Sequence, residues 1–208
     1  MSALTQSTAP WSMALWYASR ATGIVAMILL SLVVVIGVLV RQKVKIPGLP
    51  RFAVVGLHRR MSLLAVFFVA VHVLTAVADS YVSIRLAAVV LPFTSAYRPL
   101  EVGLGAVALD LGIAVVVTSL LRARIGWKTW RLVHWLAYAA YPIAVLHGFT
   151  TAADLRSGAL LAVAVTCLTA VAAAIAWRAW LPRRRSVSRD REPARPGQRS
   201  AGRAAAVR

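Results

Sequence analysis

Four histidines are the residues of this chain best suited to chemistry, and they fall into two pairs, His58 with His72 and His134 with His147. Each pair lies in a long apolar segment, where an imidazole is costly and is retained because it binds something. Spacings of 14 and 13 residues put the two rings of each pair about 20 Å apart along a helix, two-thirds of the roughly 30 Å hydrocarbon core of a bilayer. Two parallel helices with this pattern offer two stacked sites, each with one imidazole from each helix. A planar metal macrocycle held on both axial positions fits that geometry.

The composition is that of an integral membrane protein. Hydrophobic residues make up 60% of the 208 positions and charged residues 14%, which is more apolar than a soluble core of this size requires. The net charge of +18 comes from short connections and the C-terminal segment, so it predicts membrane topology and no nucleic-acid partner. Cys167 stands alone in an apolar run, so no intramolecular disulfide is predicted.

Five apolar segments are long enough to cross a bilayer. They cover residues 15–40, 59–79, 102–121, 131–153 and 158–181. The connections after the first and third segments are basic and contain no acid, which places them in the cytoplasm. The N-terminal segment 1–14 is then outside, and the arginine-rich segment 182–208 is a cytoplasmic tail whose composition predicts disorder and attraction to anionic membrane lipid. We therefore predict an all-α integral membrane protein of the cell membrane, a five-helix transmembrane bundle over residues 15–181.

This topology decides which histidines meet. The second and fourth spans run in the same direction, so His58 pairs with His134 near the cytoplasmic face and His72 pairs with His147 near the outer face. Fourteen residues leave His58 and His72 about 40° apart, on one face of a helix. Thirteen leave His134 and His147 about 140° apart on an ideal helix. Pro142 lies between them and is predicted to kink the helix and supply part of the correction.

Two side chains are predicted to lie between the two sites. Ala65 lies seven residues from both His58 and His72, and Tyr141 lies seven residues after His134. An aromatic ring in that place fills space and could serve an electron's path. Simple packing of the ring between helices is the alternative.

The histidine spacing, with Arg20 early in the preceding span, resembles the ferric reductase-like transmembrane domain. That domain is shared by iron reductases, NADPH oxidases and the haem subunit of bacterial periplasmic methionine sulfoxide reductase. The resemblance covers roughly residues 14–181 and includes the stretches LPFTSAYRPL (91–100), LDL (109–111) and WRLVHWLAY (130–138). It implies that His58, His72, His134 and His147 are the axial ligands of two b-type haems, held between the second and fourth helices. Such haems would pass electrons one at a time across the membrane.

The resemblance also implies which partners the chain needs. The oxidases carry a further N-terminal span and a flavin and nicotinamide domain after the last span, whereas here only the segment 182–208 follows. We therefore expect an oxidoreductase component without its own flavin or NADPH domain. It would take electrons from a separate donor, a flavoprotein reductase or a membrane quinol, and deliver them to an extracytoplasmic acceptor such as a ferric complex, oxygen or a partner enzyme.

Several charged side chains are candidates to meet haem propionates. Arg20 lies about a turn inside the outer end of the first span, where a guanidinium needs a partner. A propionate is one candidate, and the alternatives are snorkelling or an ion pair with Asp110, predicted at a similar depth; Asp110 is otherwise a candidate for a proton path. Arg131, with Arg59 and Arg60, could meet the propionates of the inner haem. The positive-inside bias explains these three without any haem.

Residues 82–100 are apolar but short, and they contain Pro92 and Pro99, so they predict an outer cap and not a sixth span. Tyr97 and Arg98 in this cap are candidates to shape an acceptor site. Packing against the helix ends is the preferred interpretation.

Three other functions stay open. The first is a cytochrome subunit dedicated to one extracytoplasmic reductase, which would be purified with its partner. The second is a non-redox transporter or assembly protein that uses its histidines for protons or a metal ion, which would show no haem spectrum. The third is a structural anchor whose histidines only hydrogen-bond within the bundle.

Overall fold

The computed structural model of the chain describes residues 10–42, 47–79 and 84–180, and the regular elements in these ranges are helices. They are α1 (Pro10–Gln42), α2 (Arg51–Ala78), α3 (Leu86–Val90), α4 (Pro99–Leu120), α5 (Arg122–His134), α6 (Ala137–Thr151), a 3-10 turn (Ala153–Arg156) and α7 (Gly158–Trp180). The predicted tail at 182–208 and most of the predicted N-terminal segment 1–14 lie outside the described residues.

Four of these helices, α1, α2, α4 and α7, are individually long and apolar enough to cross a membrane. Helices α5 and α6 are separated by a short break and bent by 45°, and taken together they form a fifth candidate span. The chain is thus a multi-pass helical membrane protein, as predicted. Several helices extend past the predicted spans, because a helix continues through polar flanking residues until its hydrogen bonding is interrupted.

Prolines and glycines set several of the helix ends. Pro50 has an extended backbone (φ −67°, ψ 149°) directly before α2, and Pro99 is at the start of α4, where its missing N–H costs nothing. Gly158, at the start of α7, has a φ of 63° that an L side chain rarely adopts. The helices therefore begin where the sequence carries residues typical of helix boundaries.

The bundle is organised as two antiparallel helix pairs. Helix α1 packs along α2, and α4 packs along α6, while α1 makes a smaller contact with α6. Small buried residues, including Ala26, Ala65 and Ala106, let the backbones of neighbouring helices approach closely. Helices α2 and α6 carry three of the four histidines and are not among the helix pairs that pack closely on each other. The contact between the two helices is therefore made by long side chains and not by close backbone packing.

The fourth predicted span is not one continuous helix. Helix α5 ends at His134, and α6 begins at Ala137. The backbone N–H groups of Trp135, Leu136 and Tyr138 each donate to the carbonyl three residues earlier, at 3.2, 2.9 and 3.0 Å. In such a tight turn each residue advances the side chain by about 120° instead of 100°, which reduces the offset predicted between His134 and His147.

The bend that separates α5 from α6 is not at Pro142, and the part of the correction assigned to Pro142 stays a prediction. Pro142 lies inside α6, which continues through it from Ala137 to Thr151. The 45° bend is at residues 135–136, between the two histidines but directly after His134.

The segment before α4 folds onto the end of the bundle, as expected of a cap. In residues 84–98, the described part of the predicted cap that precedes α4, the only helix is the five-residue α3. The Phe93 ring lies where a side chain at Gly103 would be, 2.2 Å from an ideal Cβ. Arg98 donates to the carbonyl of Thr150 at 3.4 Å and lies 3.9 Å from the Glu101 carboxylate. These contacts agree with the packing interpretation of the cap.

Candidate functional site

The four imidazoles meet in the two predicted pairs. The ring centroids of His58 and His134 are 6.5 Å apart with an interplanar angle of 74°. Those of His72 and His147 are 6.2 Å apart with an angle of 73°. Helices α2 and α6 therefore run in the same direction, and the sequence prediction of the pairing is confirmed.

These separations match two imidazoles on opposite sides of one metal ion. An imidazole nitrogen binds a metal ion at about 2 Å, and aromatic bonds of about 1.33 Å give the ring a radius of about 1.1 Å. Two axial imidazoles therefore place their centroids about 6.2 Å apart. A direct N–H···N hydrogen bond of about 2.9 Å would bring the centroids to about 5 Å. Because the observed distances are 6.5 and 6.2 Å, direct hydrogen bonding between the rings does not explain the pairs.

The ring of His72 lies against the backbone of α1. Its Nδ1 is 2.7 Å from the carbonyl oxygen of Ser19. A carbonyl only accepts, so Nδ1 carries the proton and Nε2 is left as the nitrogen that can bind a metal. Four residues after Ser19 lies Gly23, where an added Cβ would be only 3.0 Å from the His72 ring. The glycine thus leaves the carbonyl accessible to the imidazole.

Helix α4 holds His147 in the same way. The Nδ1 of His147 is 2.7 Å from the carbonyl oxygen of Glu101. Gly105 lies four residues further on, and a Cβ there would be 2.8 Å from the His147 ring. A histidine bound to metal commonly donates its second nitrogen to a carbonyl, which fixes the tautomer and the ring plane. His72 and His147 both have that arrangement.

His58 has a weaker version of this arrangement. A Cβ at Gly37 would be 3.2 Å from the ring of His58. The Nδ1 of His58 is buried and has no hydrogen-bond partner among the described residues. Gly23 and Gly37 are 14 residues apart, the same spacing as His72 and His58. This matched spacing on two antiparallel helices is a sequence signal that the prediction of the site missed.

His134 lacks the hydrogen bond that His72 and His147 make. Like the Nδ1 of His58, its Nδ1 is buried and has no hydrogen-bond partner in the part of the chain that the structure describes. Its ring instead stacks on Trp130, with centroids 4.9 Å apart and an interplanar angle of 24°. None of the described glycines lies against this ring.

Tyr141 and Ala65 are both buried, as expected of side chains that lie between the two histidine pairs. Tyr141 is 6% exposed and Ala65 is 1% exposed. The Tyr141 hydroxyl lies 2.9 Å from the hydroxyl of Ser31 on α1, and its ring packs with Val145 and Val171. The ring thus joins α6 to α1, which is the packing role left open by the sequence.

Arg20 pairs with Asp154, an acid that was not predicted as its partner from the sequence. Its guanidinium forms a salt bridge with Asp154 in the 3-10 turn and lies 4.5 Å from the ring centroid of Trp16. The alternative of an ion pair with Asp110 is wrong, because Asp110 is nine residues beyond Glu101 on α4, about 13 Å deeper than the His147 contact at 1.5 Å per residue.

Arg131, Arg59 and Arg60 are exposed. Within the described residues none of the three forms an ion pair. Their contact with haem propionates stays a prediction.

The donor set fits a macrocycle better than a bare metal ion. Among the described residues no group of three His, Cys, Asp or Glu side chains could hold a metal ion together. Each pair therefore offers two nitrogen ligands, whereas a closed protein zinc site needs four. A porphyrin supplies its own equatorial nitrogens, so two axial imidazoles suffice. The carbonyls of Ser19 and Glu101 accept from Nδ1 of His72 and His147, which leaves Nε2 of each ring free to bind a metal.

The family model described as "Ferric reductase like transmembrane component" matches residues 22–145, more than half of the chain. The matched range includes His58, His72 and His134, while His147 lies two residues beyond it. No curated protein and no solved structure matches the chain.

Proposed function

The chain belongs to the ferric reductase-like transmembrane family, and from that premise we propose that it carries electrons across the membrane through two b-type haems. His58 and His134 bind one haem, and His72 and His147 bind the other. Each haem, when bound, supplies one-electron chemistry through its iron. The protein binds the cofactors, orients the imidazoles and surrounds both sites with apolar side chains.

The observation that carries this proposal is the presence of two facing imidazole pairs at 6.5 and 6.2 Å. His58 and His72 are 14 residues apart on α2, about 21 Å at 1.5 Å per residue. The hydrocarbon core is about 30 Å thick, so one haem could not bridge it, whereas two haems at this spacing would span about two-thirds of it. The same spacing argues against a transporter in which all four histidines share one ion.

The basic connections give the proposed direction of transfer. The described basic residues Arg41 and Arg51 flank the connection from α1 to α2, at the end of the bundle nearer to His58, and Arg122, Arg124 and Arg131 lie on α5, which ends at His134. Basic connections favour the cytoplasm. His58 and His134 would therefore hold the haem nearer a cytoplasmic-side donor, a flavoprotein or a quinol, and His72 and His147 would hold the haem nearer an extracytoplasmic acceptor.

Arg20 is proposed to bind a propionate of the haem held by His72 and His147. Its neighbour in sequence, Ser19, contacts His72 directly, so the arginine is at the level of this pair. The salt bridge to Asp154 and the Trp16 ring hold the guanidinium there, and a propionate would be a second anion for it. Arg131 is proposed to play the corresponding part near His134.

A dedicated cytochrome subunit of an extracytoplasmic reductase is the second candidate. It is favoured by the exposed apolar side chains in the segment before α4, where Leu91 and Phe93 are 56% and 51% exposed. This segment reaches α4 at Gly103, two residues from the glycine that contacts His147. A partner enzyme docked there would be close to the proposed exit of the electron. Such a partner should be purified with the protein from native membranes.

The test is a reduced-minus-oxidised absorbance spectrum of the purified protein, with haem counted per chain. The proposal predicts a b-type spectrum and about two haems per chain. A protein without haem, made where haem supply is ample, would contradict the proposal and favour the transporter or anchor.

A further inference from the structure

The four imidazoles differ in the hydrogen bonding of Nδ1, the nitrogen that is not proposed to bind the metal. In His72 and His147 this nitrogen donates to a backbone carbonyl at 2.7 Å. In His58 and His134 the Nδ1 is buried, and in the described residues nothing accepts from either atom. His58 has Gly37 of α1 beside its ring, whereas no described glycine lies beside His134, so the ring plane of His134 depends on another kind of contact.

Helix α4 has no glycine and accessible carbonyl at the level of His134, unlike the Gly105 and Glu101 arrangement beside His147. Thr118 lies 13 residues after Gly105, the same spacing as between His134 and His147. It is a threonine instead of a glycine, and its hydroxyl donates to the carbonyl of Ala114 at 2.6 Å. The carbonyl four residues before it is thus already satisfied, and no glycine opens α4 to an imidazole there.

Trp130 supplies the contact that His134 has instead. Within α5, Gly126 has non-helical backbone angles of φ 78° and ψ 162°, so Trp130 and His134 both belong to the regular part after it. They are four residues apart and thus lie on one face of that helix. Their rings are 4.9 Å apart and nearly parallel, at 24°.

Trp130 is itself held from three sides, so it can impose a plane on its neighbour. Its Nε1–H donates to the hydroxyl of Ser119 on α4 at 3.2 Å. The Trp127 ring centroid is 4.8 Å away, and the guanidinium of Arg122 lies 4.9 Å from the Trp130 centroid. The contact with Ser119 joins the indole to α4.

His134 needs this support because it is the last residue of α5. The next two residues form the break before α6, so no following turn of the same helix packs against the imidazole. Trp130, one turn earlier, is the rigid surface available to it.

We propose that Trp130 is the positioning residue of His134, and that its stacked indole takes the place of the backbone hydrogen bond that orients His72 and His147. The inference rests on the proposed function, because it concerns how His134 presents its metal-binding nitrogen to a haem. It implies that the His58–His134 site depends on an aromatic side chain, whereas the His72–His147 site depends on backbone carbonyls.

The experiment compares Trp130→Leu and Trp130→Phe with Trp177→Leu in the purified full-length protein. Trp177 lies on α7 and is 40% exposed, and among the described residues its ring contacts neither Trp130 nor His134, so its replacement is the control for loss of an indole elsewhere in the bundle. The readouts are haem affinity at each site and the electron paramagnetic resonance spectrum of the oxidised haems, which responds to the angle between the axial imidazole planes.

W130L should weaken haem binding at the His58–His134 site by at least about tenfold, the lower end of the effect of losing a ligand's supporting contact, and should broaden or shift its resonance signal. The His72–His147 signal should stay unchanged. W130F retains a flat ring, so it should restore the signal, and W177L should resemble the wild type. Equal affinities and signals in W130L and W177L would overturn the proposal.

If W130L lost both haems, Trp130→Phe and Trp130→Met would decide, because both are apolar and only Phe is planar. A native signal in W130F and an altered one in W130M supports stacking, and equal signals in the two overturn it. A wild-type protein that binds no haem would instead contradict the proposed function itself.

Discussion

The His72–His147 pair and the His58–His134 pair carry the same side chains at similar separations, yet the protein holds them by different means. Around His72 and His147, two backbone carbonyls accept hydrogen bonds at 2.7 Å, and a glycine lies beside each ring. The Nδ1 atoms of His58 and His134 have no hydrogen-bond partner among the described residues, and the ring of His134 stacks on Trp130. A backbone contact survives most substitutions of the residue that provides it. We infer that the first pair is the more rigid and the second the more adjustable.

The largest expected effect is that of Gly105→Ala. The new Cβ would be 2.8 Å from the ring of His147, so the imidazole must move and lose its contact with Glu101. Haem affinity at the His72–His147 site should fall by about 10- to 100-fold, as it does when a metal-bound histidine loses the hydrogen-bond partner of its second nitrogen. The measurement is a haem titration of the purified variant.

Gly112→Ala is the control on the same helix, because a Cβ at Gly112 has nothing within 4 Å. The control should bind haem as the wild type does. Equal affinities in the two variants would contradict the role assigned to Gly105.

A smaller effect is expected at the other pair from Gly37→Ala. The nearest ring atom of His58 would be 3.2 Å from the new Cβ, and no completed hydrogen bond would be lost. We expect a decrease in affinity of less than about tenfold, confined to the His58–His134 site. Gly56→Ala, with open space around its Cβ, is the control. If haem affinity fell further in Gly37→Ala than in Gly105→Ala, the inference that the His72–His147 pair is the more rigid would be contradicted.

Substitutions between the two histidine pairs should lower the stability of the protein without changing its haem binding. Tyr141→Phe removes the hydrogen bond to Ser31 at 2.9 Å and leaves the ring in place. The free energy of unfolding should fall by about 1 kcal/mol, measured by denaturation in detergent, with both haem signals unchanged. Ser31→Ala should have a similar effect. A change in electron transfer between the sites in Tyr141→Phe would assign the hydroxyl a part in the electron's path.

The smallest expected effect is that of Asp154→Asn. The Asp154 side chain is 58% exposed, and ion pairs of this kind contribute about 0–1 kcal/mol. The thermal midpoint should change little, and increasing salt should reduce the difference from the wild type. Asp110→Asn should leave this salt dependence intact. If the salt dependence of the thermal midpoint were lost in Asp110→Asn and kept in Asp154→Asn, the ion pair of Arg20 with Asp154 would be contradicted.

The sequence was sufficient for the parts of the site that follow from spacing and charge. The spans, the direction of α2 relative to α6 and the pairing of the four histidines all follow from apolar length and from the basic connections. The break at Trp135–Leu136 could not be predicted, because hydrogen bonds to the third preceding residue leave no pattern in the sequence, whereas Pro142 suggested a kink elsewhere.

Long-range partners were also beyond prediction. Asp154 is 134 residues from Arg20, and its place beside Arg20 depends on how the turn after α6 folds back. The glycines beside His58 and His72 were within reach, because Gly23 and Gly37 repeat the histidine spacing on the preceding helix. A search for that repeated spacing would have identified α1 as the helix that supports both rings of α2.

The most direct test of the central claim is to replace each histidine by alanine and ask which haem is lost. His72→Ala and His147→Ala should remove the same haem, and His58→Ala and His134→Ala should both remove the other, as judged by haem content and by the remaining resonance signal. If His72→Ala and His147→Ala removed different haems, the imidazoles that face each other at 6.2 Å would not share a cofactor, and the two-site arrangement would be wrong.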